Sequence, residues 1–462
     1  MTTLAKVSAV VRHGSLCGAA VLLFASLSFG QAAIQLSKSV GPPTTKTLVS
    51  GENFPPDTEV KLYFDRAKVG QVATDSTGSF SDAPIDVPKS ALPGRHYVIA
   101  KAQIEAKARF LVRTNWPLYG FGPNGGRHNR FENVLSPKNV GGLALRFCYS
   151  APAGVGPPVV AEGMVYFSSN DGNVYALNAD TDALVWKAEG FGPVAVANGI
   201  VYFMGTYDYY LYARNAKTGA LVWDYGIDVS ALAPVVSDGI VYETAADVAG
   251  YDLWALDAHT GRLLWRDFIW AAPALGPAAV TGGTVYVGAT GSSSSDLLAV
   301  SNVAGYVLWQ YPIAVYSLPA VVNGVVYADS TDDNVYALDE TTGSLRWKYS
   351  TAKAVYPSPA AADGVIYAGS DDGSVYALDA STGALVWKRS IGYAAGSPAL
   401  ANGVAYVVSS NGDVYHLNAL NAETGILLWT YLLKEEPTDP IVVNGRVYFG
   451  SVGGQLYIFG LP

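Results

Sequence analysis

The feature that most limits what this chain can fold into is a phrase repeated eight times, in most copies Asn/Asp-Gly followed by two apolar residues and a tyrosine. Its tyrosine falls at Tyr166, Tyr202, Tyr242, Tyr286, Tyr327, Tyr367, Tyr406 and Tyr448, at steps of 36, 40, 44, 41, 40, 39 and 42 residues. Each copy continues through a polar turn, such as Asn170-Asp171-Gly172 or Asp371-Asp372-Gly373, into a second apolar run such as NVYAL. A Thr-Gly turn and a run ending in tryptophan follow, at Trp186, Trp223, Trp265, Trp309, Trp347, Trp387 and Trp429. Apolar residues alternate with period two, so these runs are strands, and four short strands in about 40 residues match a propeller blade. Helical repeats of this length need a 3.6-residue period, which is absent. A recurrent Trp-Asp is also missing, since only Trp223-Asp224 shows it.

Eight tyrosine copies meet only seven tryptophan ends, because the last copy stops at Pro462 before its fourth strand. The run from Leu143 to Tyr149 supplies that strand, with Phe147 in the tryptophan slot. Pairing the start of the repeat region with its end removes an exposed sheet edge. The expected fold is all-β, an eight-bladed β-propeller over residues 114–462, closed by the strand at 143–149.

The tryptophan ends resemble the docking motif A-x-D-x-x-T-G-x-x-x-W of the pyrroloquinoline-quinone (PQQ) repeat family. The clearest matches are Ala377-Leu378-Asp379 with Thr382-Gly383 and Trp387, and Ala255-Leu256-Asp257 with Thr260-Gly261 and Trp265. Gly219, Gly343 and Gly425 hold the same turn position in other copies, while Asp182 replaces it in the first. The lead-in from Trp116 to Leu143 also resembles the segment that opens such propellers. Glycine gives the reversal its positive φ, and an outer-strand indole can bury its ring between blades while its N–H finds a carbonyl. These residues read as structural.

Ahead of the repeats, residues 34–113 alternate in short runs broken by turn residues, including Val60, Leu62 and Phe64 in VKLYF and the Pro93-Gly94 turn. This pattern resembles the immunoglobulin-like modules of exported bacterial proteins and implies a small β-sandwich. Residues 1–33 read as a secretory signal: Lys6 and Arg12 precede an apolar stretch from Leu16 to Phe29, and Gly30 and Ala32 offer a cleavage site. At about 14 residues the stretch is shorter than the roughly 20 that a spanning helix needs. An exported chain, periplasmic or extracellular, is expected, with no spanning segment once the signal is removed. Its remaining cysteine, Cys148, allows no internal disulfide.

Twenty-nine basic against 38 acidic residues, without a dense basic run, disfavour nucleic acid as a partner. Gly120, Gly122 and Gly125 satisfy G-x-G-x-x-G, but Pro123 lies inside and no strand-then-helix context surrounds it. His96, His128, His259 and His416 lack metal-ligand spacing and read as surface or turn residues. Asp332-Asp333-Asn334 and Asp371-Asp372-Gly373 read as hairpin turns rather than calcium loops.

The functional candidate is the axial mouth, where segments joining one blade to the next converge. They carry Phe191, Trp270, Tyr316, Tyr356 and Tyr393, with Lys353 and Glu435 nearby. The resemblance implies two uses for such a chain. Some relatives are noncatalytic propellers of outer-membrane assembly, and an exported binding or scaffolding module without cofactor, engaging a protein or glycan partner, is the expectation adopted. The alternative is a PQQ- and calcium-dependent alcohol or sugar dehydrogenase. That family's adjacent cysteines and long active-site insertions are missing, so no catalytic or metal-binding residue carries over.

Overall fold

The computed structural model describes residues 31–227, 230–231, 233–247, 250–269, 274–290 and 295–462. Among them every sheet strand joins one of two arrangements. Near the N-terminus a three-stranded sheet, Ala33–Leu36, Lys46–Glu52 and Phe80–Asp86, faces a five-stranded sheet containing Glu59–Phe64, Gly94–Lys101 and Glu105–Val112. Alternate residues, among them Val49, Val60, Leu62, Val98 and Phe110, turn inward and form one apolar cluster.

The remainder is all-β and builds a β-propeller from successive antiparallel sheets on four-strand paths. Val159–Ala161, Met164–Ser169, Asn173–Asn178 and Leu184–Glu189 form a representative sheet, running from the inner strand to the outer. The sheet holding Tyr448 takes its outer strand from far back in the chain: Ala144–Ser150 pairs antiparallel with Gln455–Gly460, and Phe147 lies opposite Ile458.

The joints between sheets repeat one contact. Trp186, Trp223, Trp347 and Trp387 donate their indole N–H to the carbonyls of Ala216, Ala258, Ala380 and Ala422 in the next sheet at 2.9–3.0 Å. Tyr166, Tyr202, Tyr327 and Tyr367 donate to the same four carbonyls. The turn glycine of the next copy lies flat on the indole: a Cβ on Gly383 (φ 73°) would sit 2.7 Å from the Trp347 ring. Glycine is therefore needed there twice over, for its φ and for its missing side chain.

At the closing joint Phe147 has no N–H to offer. The matching carbonyl, Ala179, instead accepts from Nη1 of Arg446 at 2.9 Å, and Asp182 lies 3.3 Å from the same nitrogen. A guanidinium thus does the work that an indole does elsewhere.

Inner strands run from one face of the ring to the other, so the hairpin turns and the outer-to-inner connections share a face, here called the mouth face. The opposite face carries the Asn-Gly and Thr-Gly turns and meets the N-terminal sandwich region. There Thr114 and Asn444 exchange two hydrogen bonds of 2.9 Å, and Arg113 pairs with Asp180 at 2.8 Å.

Candidate functional site

The segment from Trp116 to Asn129 closes the axis from that opposite face. It runs round the inside of the ring and binds the inner strands one after another. Val160 and Trp116 exchange backbone bonds, Val196 donates to the Pro117 carbonyl, and Val280 to that of Pro123. Val321, Ala361 and Leu400 donate to Asn124, Gly126 and Arg127, and the Asn129 amide donates to the Val442 carbonyl at 2.9 Å. Each inner-strand residue stands six positions before the tyrosine of its copy, so one register fastens the sheets to one plug.

Arg127 pins this plug at its centre. It is fully buried, and it donates from Nε to Pro398, from Nη1 to Tyr119 and from Nη2 to Pro440, all to carbonyls at 2.9–3.0 Å. The G-x-G-x-x-G glycines lie in this plug, where chain crosses chain: a Cβ on Gly125 (φ 72°) would sit 2.1 Å from the Pro319 carbonyl oxygen. His128, read as a surface or turn residue, lies partly buried in the plug strand beside Leu400.

Above the plug the mouth face opens into a blind cavity of about 430 Å³. Its rim holds one equivalent residue from each copy, nine positions before the tyrosine: Pro157, Pro193, Ala233, Pro277, Leu318, Ser358, Ser397 and Asp439. Five are apolar and adjacent, and three are polar and adjacent. The polar ones form a relay in which each backbone N–H is accepted by the next side chain. Leu318 donates to Ser358 Oγ (3.0 Å), Ser358 to Ser397 Oγ (2.9 Å) and Ser397 to Asp439 Oδ1 (2.9 Å). Proline at three of the apolar positions has no N–H to satisfy, so those three need no relay partner.

Tyr119 forms the floor. Its hydroxyl donates to Asp439 Oδ2 and lies 3.3 Å from Ser397 Oγ, and its ring stacks on Arg127, 4.7 Å from the guanidinium carbon. Burial first, and the Asp439 charge second, push its ionisation well above the usual tyrosine range, so it stays a donor.

Two of the residues expected at the mouth are there. Tyr316 and Tyr356 line the cavity, half exposed, with ring centroids 6.4 Å apart and planes tilted by 47°. Tyr393 stands exposed on the same face without lining the cavity. Phe191 packs instead against the apolar cluster around Ala195 and Tyr202. Lys353 is exposed beside the hairpin turns, where its carbonyl accepts from Ser370 Oγ, and Glu435 accepts from Ser451 Oγ at 2.8 Å. Trp270 lies outside the described residues. Tyr119, Ser317, Ser358, Ser397 and Asp439 had not been nominated, although the constant offset from each tyrosine would have found the last three.

The hairpin aspartates are occupied structurally. Asp171, Asp332 and Asp372 each accept the hydroxyl of the tyrosine four residues on, at 2.5–2.6 Å.

A quinone with several carboxylates and a bound calcium would need cations for the former and several free oxygen ligands for the latter. Among the described residues the cavity lining offers neither Lys, Arg nor His, and both oxygens of its one carboxylate are engaged. Among the described residues no three His, Cys, Asp or Glu converge on a point. The residues present do not fit such a group.

The profile of the family described as outer membrane protein assembly factor BamB matches residues 170–330, 314–391 and 331–461, more than half of the chain. The chain belongs to this family of PQQ-like repeat propellers. Among curated relatives, BamB of Yersinia pestis is 27% identical over 257 residues, covering 47% of this chain and 62% of the relative. The serine/threonine-protein kinase AfsK of Streptomyces griseus is 35% identical over 143 residues, 27% of this chain and 16% of the relative. The chain thus spans less than two thirds of the curated relatives it matches. Among solved structures, a europium-containing methanol dehydrogenase superposes with a TM-score of 0.64 at 15% identity, covering 75% of this chain and 98% of that one. BamB from Moraxella catarrhalis superposes at 0.56 and 19%, covering 69% and 99%. At these identities the likeness is one of fold. No helix among the described residues is long and apolar enough to cross a membrane.

Proposed function

We propose that the chain is an exported, noncatalytic scaffold: an eight-bladed propeller, preceded by an immunoglobulin-like sandwich, that binds a protein partner through its mouth face. The observation that carries this reading is how the axis uses its polar groups. Asp439, Ser397, Ser358 and Tyr119 spend their hydrogen bonds on one another and on the ring backbone. Among the described residues none of these four is left poised toward the cavity as an acid, base or nucleophile in the way that bond-making chemistry requires. The sandwich region and the plug occupy the opposite face, which leaves the mouth face for a partner. Membership of the BamB family supports an assembly role, and the apolar stretch near the N-terminus supports export.

Titrating PQQ with calcium into the purified chain, followed by heat and tryptophan quenching, tests the noncatalytic half. No saturable binding and no dye reduction with alcohols or sugars are expected. Saturable one-to-one binding with turnover would overturn the reading in favour of a dehydrogenase.

A further inference from the structure

We propose that the axial mouth is a receptor for one cationic side chain, lysine or arginine, carried beside small apolar residues on a short segment of a partner protein. The inference rests on the scaffold reading and names what that scaffold holds. Four observations lead to it.

The first is the aromatic pair. Tyr316 and Tyr356 keep about half of their surfaces exposed and stand as an open V at the cavity edge. Two ring faces at that spacing can flank an ammonium or guanidinium, and each cation–π contact strengthens as water is excluded.

The second is an unused acceptor. Ser317, on the same loop, is 6% exposed and lines the cavity, and its Oγ has no hydrogen-bond partner. A buried hydroxyl left without a partner is costly unless an occupant completes it. An N–H donor entering between the tyrosines does so.

Charge is the third. Among the described residues the cavity lining has no cation. Arg127 beneath the floor has Nε and both Nη atoms committed to backbone carbonyls, and Asp439 answers its charge across Tyr119. Around the mouth, Asp333, Asp371, Asp413, Glu435 and Glu436 outnumber Lys353 and Lys434 on the turns and connections of the face. Lys353 is offset by Asp371, whose carboxyl burial pushes up and this lysine pulls back down. The face therefore attracts positive charge and repels negative.

The fourth is the two-sided rim. Its proline, alanine and leucine arc offers an apolar bed to the residues beside the cation, and its serine and aspartate arc faces them with a polar, negatively charged side. A neutral sugar would use the rings but gain nothing from the acidic surround.

The test is calorimetric titration of the purified chain with three capped pentapeptides, Ac-Ala-Ala-X-Ala-Ala-NH2, where X is arginine, its neutral isostere citrulline, or glutamate, and with maltotriose. The arginine peptide is expected to bind about tenfold or more tighter than the citrulline peptide, with glutamate and maltotriose silent, and to weaken several-fold between 0.05 and 0.5 M salt. The doubly substituted Tyr316→Ala, Tyr356→Ala chain should lose this binding and keep its melting temperature, since both rings are exposed. The Tyr316→Phe, Tyr356→Phe chain should keep it, because the ring faces remain. Equal binding of arginine and citrulline peptides, binding of maltotriose alone, or no binding of any probe overturns the inference. The PQQ titration separates the two readings: if quinone and arginine peptide both fail, the cation receptor falls while the noncatalytic scaffold stands, and if quinone binds with turnover, the scaffold falls as well.

Discussion

The two faces of the ring are built on opposite plans. On the plug face, polar groups meet backbone: Arg127 holds three carbonyls, and the inner strands donate to one threaded segment. On the mouth face, large side chains such as Tyr316, Tyr356 and Tyr393 stand half exposed or more, with little burial to keep them there. The difference teaches where stability and recognition have been placed. A substitution on the first face should unfold the ring, and one on the second should leave it standing.

The largest expected effect belongs to Arg127. Arg127→Met removes three bonds from buried carbonyls and should destabilise the chain by about 3–5 kcal/mol, with loss of cooperative unfolding measured in urea. Next come the joints. Trp347→Ala should cost about 3–5 kcal/mol as a cavity opens between sheets, while Arg446→Met at the closing joint should cost about 1–3 kcal/mol by leaving the Ala179 carbonyl without its donor. If the arginine joint proves the costlier of the two, the equivalence drawn between guanidinium and indole is wrong.

Asp329 sharpens the comparison in the other direction. It is buried without a partner two positions after its tyrosine, where other copies have Ser168, Thr244, Gly288, Gly369 and Gly450. Burial raises its ionisation well above the normal carboxylate range, so the folded state keeps a proton that the unfolded chain releases near pH 4. The native state therefore loses stability as pH rises from there through the raised value. Asp329→Ser should gain about 1–3 kcal/mol at pH 8 and little at pH 4, read from melting curves at the two pH values. An equal gain at both would mean that the carboxyl is not held neutral. The smallest effect is expected at the mouth: Tyr356→Ala should change stability by no more than about 0.5 kcal/mol.

What the sequence revealed follows from which forces are local. Strand, turn and docking positions recur because each copy solves the same packing problem, so Tyr327, Gly343 and Trp347 can be read from spacing alone. The rim was legible in principle for the same reason, since Ser358, Ser397 and Asp439 keep one offset from their tyrosines. Attention to aromatic residues found Tyr316 and Tyr356 and misplaced Phe191, because a ring on a connection can turn to the core as readily as to solvent. The plug was not legible. Arg127 reads as an ordinary charged residue until Pro398 and Pro440, hundreds of positions later, bring their carbonyls to it.

That last contact orders events in time. The plug is synthesised before any of the sheets it fastens, and its partners emerge one by one from Val160 to Val442. Until Pro440 arrives, the guanidinium at the hub lacks a full set of acceptors. A chain cut short before the final copy leaves that guanidinium one acceptor short, so the residue that locks the complete ring cannot lock an incomplete one.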